Sequence, residues 1–291
     1  RSSYYAWVSG VHRNDGSASS DPLELEEGRD RQQKNPETSP NLQGQSAIDE
    51  AVVSSQESTW SEQGPLAQFP RGAGAGDCLH RILERLDFCK PLQDPNAVMV
   101  IEEELRRAGL DINLRAAVQD GLERVLNTPI GSVLGDLCLN QLHEKRRIHE
   151  LSFDLPIAHQ GKVLRSLDLA RAFQLDPMAR FGETYAKQIS NLSVWSRGFL
   201  TGSIDLVFTD SEDLAEARWW VADWKSNWIG RRNPDGQVAA CGPFHYDEGG
   251  MEQQMLLHHY PLQAHLYLVA LHRFLRWRLP NYEPERHLGG Y

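Results

Sequence analysis

Cysteine is scarce in this sequence: four in 291 residues, Cys78, Cys89, Cys138 and Cys241, with no two at a paired spacing. A disulfide-built secreted scaffold is therefore not expected, and a reducing, cytoplasmic setting is. Long apolar runs are also missing, so no segment reaches the ~20 residues that a membrane-spanning helix needs, and no leader peptide is recognisable. There is no G-x-x-x-x-G-K-[ST] run, which excludes a phosphate-loop ATP motor from this stretch. No internal repeat is visible. Basic residues are outnumbered, 30 Lys and Arg against 40 Asp and Glu, for a net charge of −10.

That acidity is unevenly spread. Residues 1–13 carry +2, while 14–63 hold 11 acids and 3 bases, which leaves −4 for 64–291. Part of that remainder would be site carboxylates, so the global charge does not argue against a nucleic-acid partner. Local basic runs remain at Lys145-Arg146-Arg147, at Arg231-Arg232, and at Arg273, Arg276 and Arg278, although such runs are usually solvated faces.

Residues 14–63 are rich in Ser, Gln, Asn, Pro and acids and show almost no apolar periodicity, the composition of a disordered linker or insertion. The expected division is a connector at 1–13, an acidic linker at 14–65 and a folded domain at 66–291. The abrupt start at Arg1 and the end at Tyr291, just after Gly289-Gly290, suggest a piece of a longer protein. A glycine-rich loop, R-G-A-G-A-G, precedes a predicted helix with Asp77 as its N-cap and a stripe of Leu79, Ile82, Leu83 and Leu86. Further helices are expected near 98–108, 112–127, 131–146 and 261–278, the last with Pro261 in its first turn. Residues 150–155 alternate as a strand that stops at Pro156, with Glu150 at its entrance. Helices, then strands, then a helix predict an α/β fold: a small mixed sheet flanked by helices, with an α-rich lobe in front.

The most informative stretches are G-S-I-D-L-V-F at 202–208 and W-W-V-A-D-W-K-S-N at 219–227. Both read as strands joined by an acidic, turn-rich link. Strand alternation would put Asp223 and Lys225 on one face. A hairpin folded about residue 213 or 214 would set Asp205 across from residues 221–223. A lone D-x-K on a strand is most often a solvated face. Here the neighbours Ile204, Leu206, Val207, Phe208, Val221 and Ala222 are apolar, and carboxylates buried among them need a partner or a metal. Two acids and a lysine suit a hard divalent cation held beside a phosphate.

The two stretches, with P-R-G-A-G-A-G-D-C-L-H upstream and H-H-Y-P-L-Q-A-H-L-Y-L-V-A-L-H-R-F-L downstream, closely resemble the nuclease domains of the RecB family, the beta subunits of exonuclease V (RecBCD). The resemblance covers about residues 66–291, and R-S-S-Y-Y-A-W resembles the segment entering that domain. It implies a restriction-endonuclease-like PD-(D/E)XK core and a magnesium-dependent deoxyribonuclease, with manganese able to substitute. It makes Asp205 and Asp223 metal ligands, Lys225 the catalytic lysine, His80 a further metal ligand and Glu150 an additional acid. Gln263 and Tyr267 match its Q-x-x-x-Y motif as DNA-binding or supporting residues. The resemblance also implies DNA, RecC-like and RecD-like subunits and a RecA-like recombinase as partners, a bacterial cytoplasmic location, and ATP use only in a separate motor region. Some nucleases of this superfamily carry an iron–sulfur cluster on cysteines after the lysine; only Cys241 follows Lys225, so no cluster is expected. D-W-K stands where the family more often has D-Y-K, and 14–63 is longer and more polar than usual. A second reading keeps the domain as a catalytically silent docking module for RecC-like or RecA-like partners.

Overall fold

The computed structural model describes residues 7–8, 64–67, 69–157, 163–175, 181–232, 238–240 and 242–291. The expected linker therefore lies, up to residue 63, outside the described residues. So does most of the expected connector; of it, Trp7 and Val8 are buried in the core.

Three helices open the domain: α1 (Ala73–Arg85), α2 (Pro95–Arg107) and α3 (Arg115–Asn127). Helix α1 starts four residues before Asp77, with Gly72 at its N-cap in a left-handed conformation (φ 102°). The expected Asp77 cap is thus an interior residue. The run Ala73-Gly74-Ala75-Gly76 is a poor helix former, yet it is helical, and Gly76 lets Ser226 approach closely: a Cβ there would lie 2.7 Å from Ser226 Oγ. Helix α2 is capped by Asp94, which accepts from the Asn96 N–H, and Pro95 sits in its first turn.

Glu104 of α2, 1% exposed, clamps α1 by accepting from Arg81 at 2.7 Å and from Arg85 at 2.6 Å. Burial alone would raise its pKa, yet the hydrogen bonds and charges of Arg81 and Arg85 outweigh it and hold the carboxyl below its ordinary value. A depressed carboxyl contributes stability that is present above its unfolded pKa and lost as pH falls through the folded one. Glu104→Gln should cost about 2 kcal/mol at neutral pH, less than the ~3–5 kcal/mol of a fully buried pair, because both guanidinium groups reach water. Urea unfolding across pH should show the gap to wild type closing below the ordinary carboxylate range. A gap independent of pH would remove the ion pairs from the account.

The predicted helix at 131–146 does not form. Short 3-10 turns occupy Ser132–Leu134, Leu139–Gln141 and Glu144–Arg146, and Pro129 bridges Cys138. Gly131 (φ 149°) and Gly135 (φ 61°) take conformations that break a helix despite the periodic leucines.

The central sheet has the order β1-β4-β5-β8, from β1 (Arg147–Pro156), β4 (Phe199–Thr209), β5 (Trp219–Ala222) and β8 (Leu288–Gly290). All its pairings are antiparallel except β5 with β8, so the sheet is mixed, as expected. Two small two-stranded pairs lie outside it: β2 (Leu164–Arg165) with β3 (Trp195–Ser196), and β6 (Arg231–Arg232) with β7 (Val238–Ala240). Helices α4 (Ser166–Gln174), α5 (Gly182–Ser190), α6 (Glu248–Leu257), α7 (Tyr260–Arg278) and α8 (Pro284–His287) follow, with further 3-10 turns at Ile112–Leu114 and Pro243–Tyr246.

Each sheet face buries its own core. Helices α4, α5 and α7 supply Leu169, Tyr185, Ile189, Leu262 and Leu271 against one face. Helices α1 to α3 supply Ile82, Ile101, Leu105 and Val118 against the other. Two glycines allow large rings to cross the sheet. Phe153 lies over Gly202, where a Cβ would come within 2.6 Å of the ring, and Trp220 lies over Gly289, where it would come within 2.3 Å.

Side-chain alternation inverts in the middle of β1 and β4. Ile204 and Val207 join the core with α7, whereas Leu206 and Phe208 join the core with α1, so parity changes between 204 and 206. In β1, Leu151 and Phe153 pack on the α7 side, while His149 meets Phe88 edge-on in the α1 core at 5.2 Å. The change falls at Glu150, whose φ is 50°. The β1–β4 register runs from His149↔Leu206 to Leu151↔Ile204 without a shift, leaving Glu150 opposite Asp205 as the one unpaired step. One left-handed residue thus turns both strands over at the position where the two acids face each other.

Candidate active site

The β4–β5 ladder pairs Leu206 with Ala222 and Val207 with Val221, a hairpin centred on residue 214, so that Asp205 and Asp223 each lie one residue beyond its last pair. The strand stops there. Residues 223–227, expected to continue β5, leave the ladder, because the Trp224 N–H goes to Asp205 Oδ2 at 2.8 Å instead of to a strand carbonyl. Lys225 Nζ contacts Asp223 Oδ2 and lies 4.4 Å from the centre of the Tyr260 ring.

His80 reaches the same spot from the second turn of α1, its Nδ1 3.6 Å from Asp205 Oδ2. Burial, the largest influence, lowers the pKa of His80, with the charge of Asp223 opposing. The imidazole is therefore neutral near neutrality and has a lone pair to offer. The Asp205 carboxyl is pushed up to about 7, first by burial and then by the charge of Asp223, against the Trp224 N–H and Lys225. Glu150 acts on both His80 and Asp205 through its charge. Five residues singled out in the sequence, His80, Glu150, Asp205, Asp223 and Lys225, are thus brought to one place by four separate segments.

Gln263 and Tyr267 stand apart from that cluster. They share a face of α7, but they are 3% and 8% exposed, and the Gln263 amide donates to Tyr267 Oη at 2.9 Å. Tyr267 also meets Phe153 of β1 edge-on at 5.9 Å. Both therefore brace the helix against the sheet. They do line a cleft of about 620 Å³ with Asp223, Lys225, Tyr246 and Tyr260. Two of the three residues in the Lys145–Arg147 run are also structural: Arg146 donates to Thr209 O at 2.8 Å, and Arg147 stacks on Phe88 at 4.4 Å.

Oxygen and neutral nitrogen donors around a closely placed pair of carboxylates are what a hard divalent cation requires. Among the described residues no three His, Cys, Asp or Glu side chains are already drawn into a finished cage; instead the Lys225 ammonium lies against Asp223. The donor set fits a cation, with Asp205, Asp223 and His80 as the groups to hold it. Tyr260 and Asn227 also belong to this site and were not among the residues the sequence pointed to. The only signal was position: Asn227 closes the D-W-K-S-N run, and Tyr260 lies one turn before Gln263.

Fold and site together make this a mixed α/β domain whose acid–lysine cluster sits at the end of a central strand pair. Within that class the chain is a relative of RecB. It is 35% identical to the RecBCD enzyme subunit RecB of Escherichia coli over 224 residues, which is 77% of this chain and 16% of that protein. It is 33% identical to RecB of Mycobacterium tuberculosis over 260 residues, 84% of this chain and 22% of that protein. With RecB of Mycolicibacterium smegmatis the identity is 33% over 236 residues, 78% and 21% of the two chains. The chain thus spans about a fifth of the length of these relatives. No protein-family model matches it. No helix of the described residues is long and apolar enough to cross a membrane.

Proposed function

We propose that residues 66–291 form a metal-dependent DNA nuclease domain of a RecB-like subunit, acting in double-strand-break processing and recombinational repair. The observation that carries the reading is the convergence of His80, Glu150, Asp205, Asp223 and Lys225 on one spot of a RecB relative. Hydrolysis of a phosphodiester adds a water oxygen to phosphorus and expels an alkoxide, so it needs an activated water and relief of negative charge on both sides. A divalent cation held by Asp205, Asp223 and His80 would supply Lewis acidity and a more acidic water. The two carboxylates set the place of the charge. Lys225 orients the water or steadies the phosphoryl oxygens, and Glu150 offers a further carboxylate for a proton. Gln263 and Tyr267 support the site by fixing α7 against β1. DNA, RecC-like and RecD-like subunits and a RecA-like recombinase are the partners that this reading carries, with ATP hydrolysis left to a separate motor.

His80 decides the choice of ion. Magnesium should support cleavage, and manganese should as well because imidazole is a better ligand for it. Calcium should occupy the site without turnover, since its longer and looser coordination misplaces the water. In His80→Ala the manganese-supported rate should fall at least as far as the magnesium-supported rate. Full activity of this variant with both ions would return His80 to a mere half-buried helix residue.

A further inference from the structure

Beyond Ala222 the chain runs through residues 223–230 without regular structure, so no ladder holds Lys225 in place. What fixes this segment is a set of side-chain ties. Asp205 takes the Trp224 N–H, and the Arg71 guanidinium stacks on Trp228 at 4.1 Å. The Tyr246 hydroxyl donates to the Asn227 carbonyl at 3.1 Å, and the Tyr260 hydroxyl donates to Asn227 Oδ1 at 2.9 Å. Tyr260 makes a second contact, because its ring carries the Lys225 ammonium on its face at 4.4 Å.

The mounting of Tyr260 is rigid. It is the first residue of α7, preceded by His259 in a left-handed conformation (φ 56°) that is 6% exposed. His259 Nδ1 lies 3.3 Å from the hydroxyl of the fully buried Tyr185, which also accepts from the Leu262 N–H. The next two residues, Pro261 and Leu262, are buried in the core. A stiff helix end thus presents one aromatic face to a long, flexible lysine.

We propose that Tyr260 is a positioning residue for Lys225, acting through its ring on the ammonium and through its hydroxyl on Asn227. A lysine ammonium is a compact point charge on a four-carbon stem, and in this site it lies at once against the Asp223 carboxylate and on the Tyr260 ring. An aromatic face attracts the ammonium without neutralising a carboxylate needed elsewhere. The ring therefore gives Lys225 a second hold, one that would keep the ammonium beside the reacting phosphate when a cation takes up Asp223. This rests on the reading of Lys225 as the catalytic lysine.

The test compares Tyr260→Phe, Tyr260→Leu and Lys225→Met in the full chain. Cleavage of single-stranded DNA in magnesium gives kcat and KM, and NMR gives the ε-methylene protons of Lys225, assigned by their absence in Lys225→Met. Tyr260→Leu should lower kcat roughly 10- to 30-fold with KM changed less than about twofold, since placement of a reacting group is lost and substrate binding is not. Tyr260→Phe, which keeps the ring, should lose only about 3- to 10-fold through the missing hydroxyl. The upfield ring-current shift of the Lys225 ε-protons should persist in Tyr260→Phe and vanish in Tyr260→Leu. Wild-type kcat in Tyr260→Leu, or a Lys225 signal unmoved in that variant, overturns the proposal even if Lys225→Met is inactive. Full activity of Lys225→Met would instead overturn the reading of the site itself.

Discussion

Asp223→Ala is expected to lower DNA hydrolysis by several powers of ten while the domain stays folded. Asp223 lies one residue beyond the last pair of the β4–β5 ladder, close enough for its charge to act on Asp205, and contacts Lys225. Removing it takes away one of two carboxylates proposed to hold the cation and frees the lysine to rest against Asp205. The stability change runs the other way. The charge of Asp223 helps to push the Asp205 carboxyl up to about 7, so its loss relieves a repulsion between buried acids. Unfolding curves should therefore show the variant at least as stable as wild type, while its kcat collapses with little change in KM. Near-wild-type digestion by Asp223→Ala would sink the metal-site assignment, whereas no digestion by the wild-type chain either would favour the docking-module reading.

Substitutions at Glu150 should separate strain from chemistry. Glu150 is a non-glycine residue at φ 50° in the middle of a strand, a conformation that costs roughly 1 kcal/mol for an L side chain. Glu150→Gly removes that cost and should stabilise the domain by up to about 1 kcal/mol. Glu150→Gln keeps the strain and should leave stability nearly unchanged. Both variants lack the carboxylate and should lose on the order of 100-fold in kcat, the scale of a lost proton-transferring group. Equal stability of the two variants would contradict the strained geometry, and full activity of both would remove Glu150 from the site.

The residues show which parts of this protein were legible in advance. The apolar runs around Asp205 and Asp223 and the turn-rich link between them placed the hairpin centre at residue 213 or 214, and the ladder centres on 214. Helix α7 was equally clear, with Pro261 marking its first turn. The inversion at Glu150 and Asp205 could not be read, since nothing in the residue type of a glutamate announces a left-handed backbone. The helix predicted at 131–146 failed for a related reason: its leucine spacing is helical, but Gly131 and Gly135 adopt positive φ, and local turn chemistry outweighed periodicity. Asp77 looked like a cap because the glycines before it looked like a loop. The helix nevertheless runs through them, with Gly76 packed against Ser226. Tyr260 was invisible for want of a partner, since its place depends on a segment 33 residues upstream that has no regular structure.

The account stands or falls on divalent-dependent hydrolysis. End-labelled linear single-stranded DNA, incubated with the purified chain in magnesium and then in excess EDTA, addresses it directly. Shortened products in magnesium that disappear with EDTA and with Asp223→Ala are the expected result. Intact DNA in magnesium and in manganese alike, or cleavage indifferent to EDTA, would contradict it.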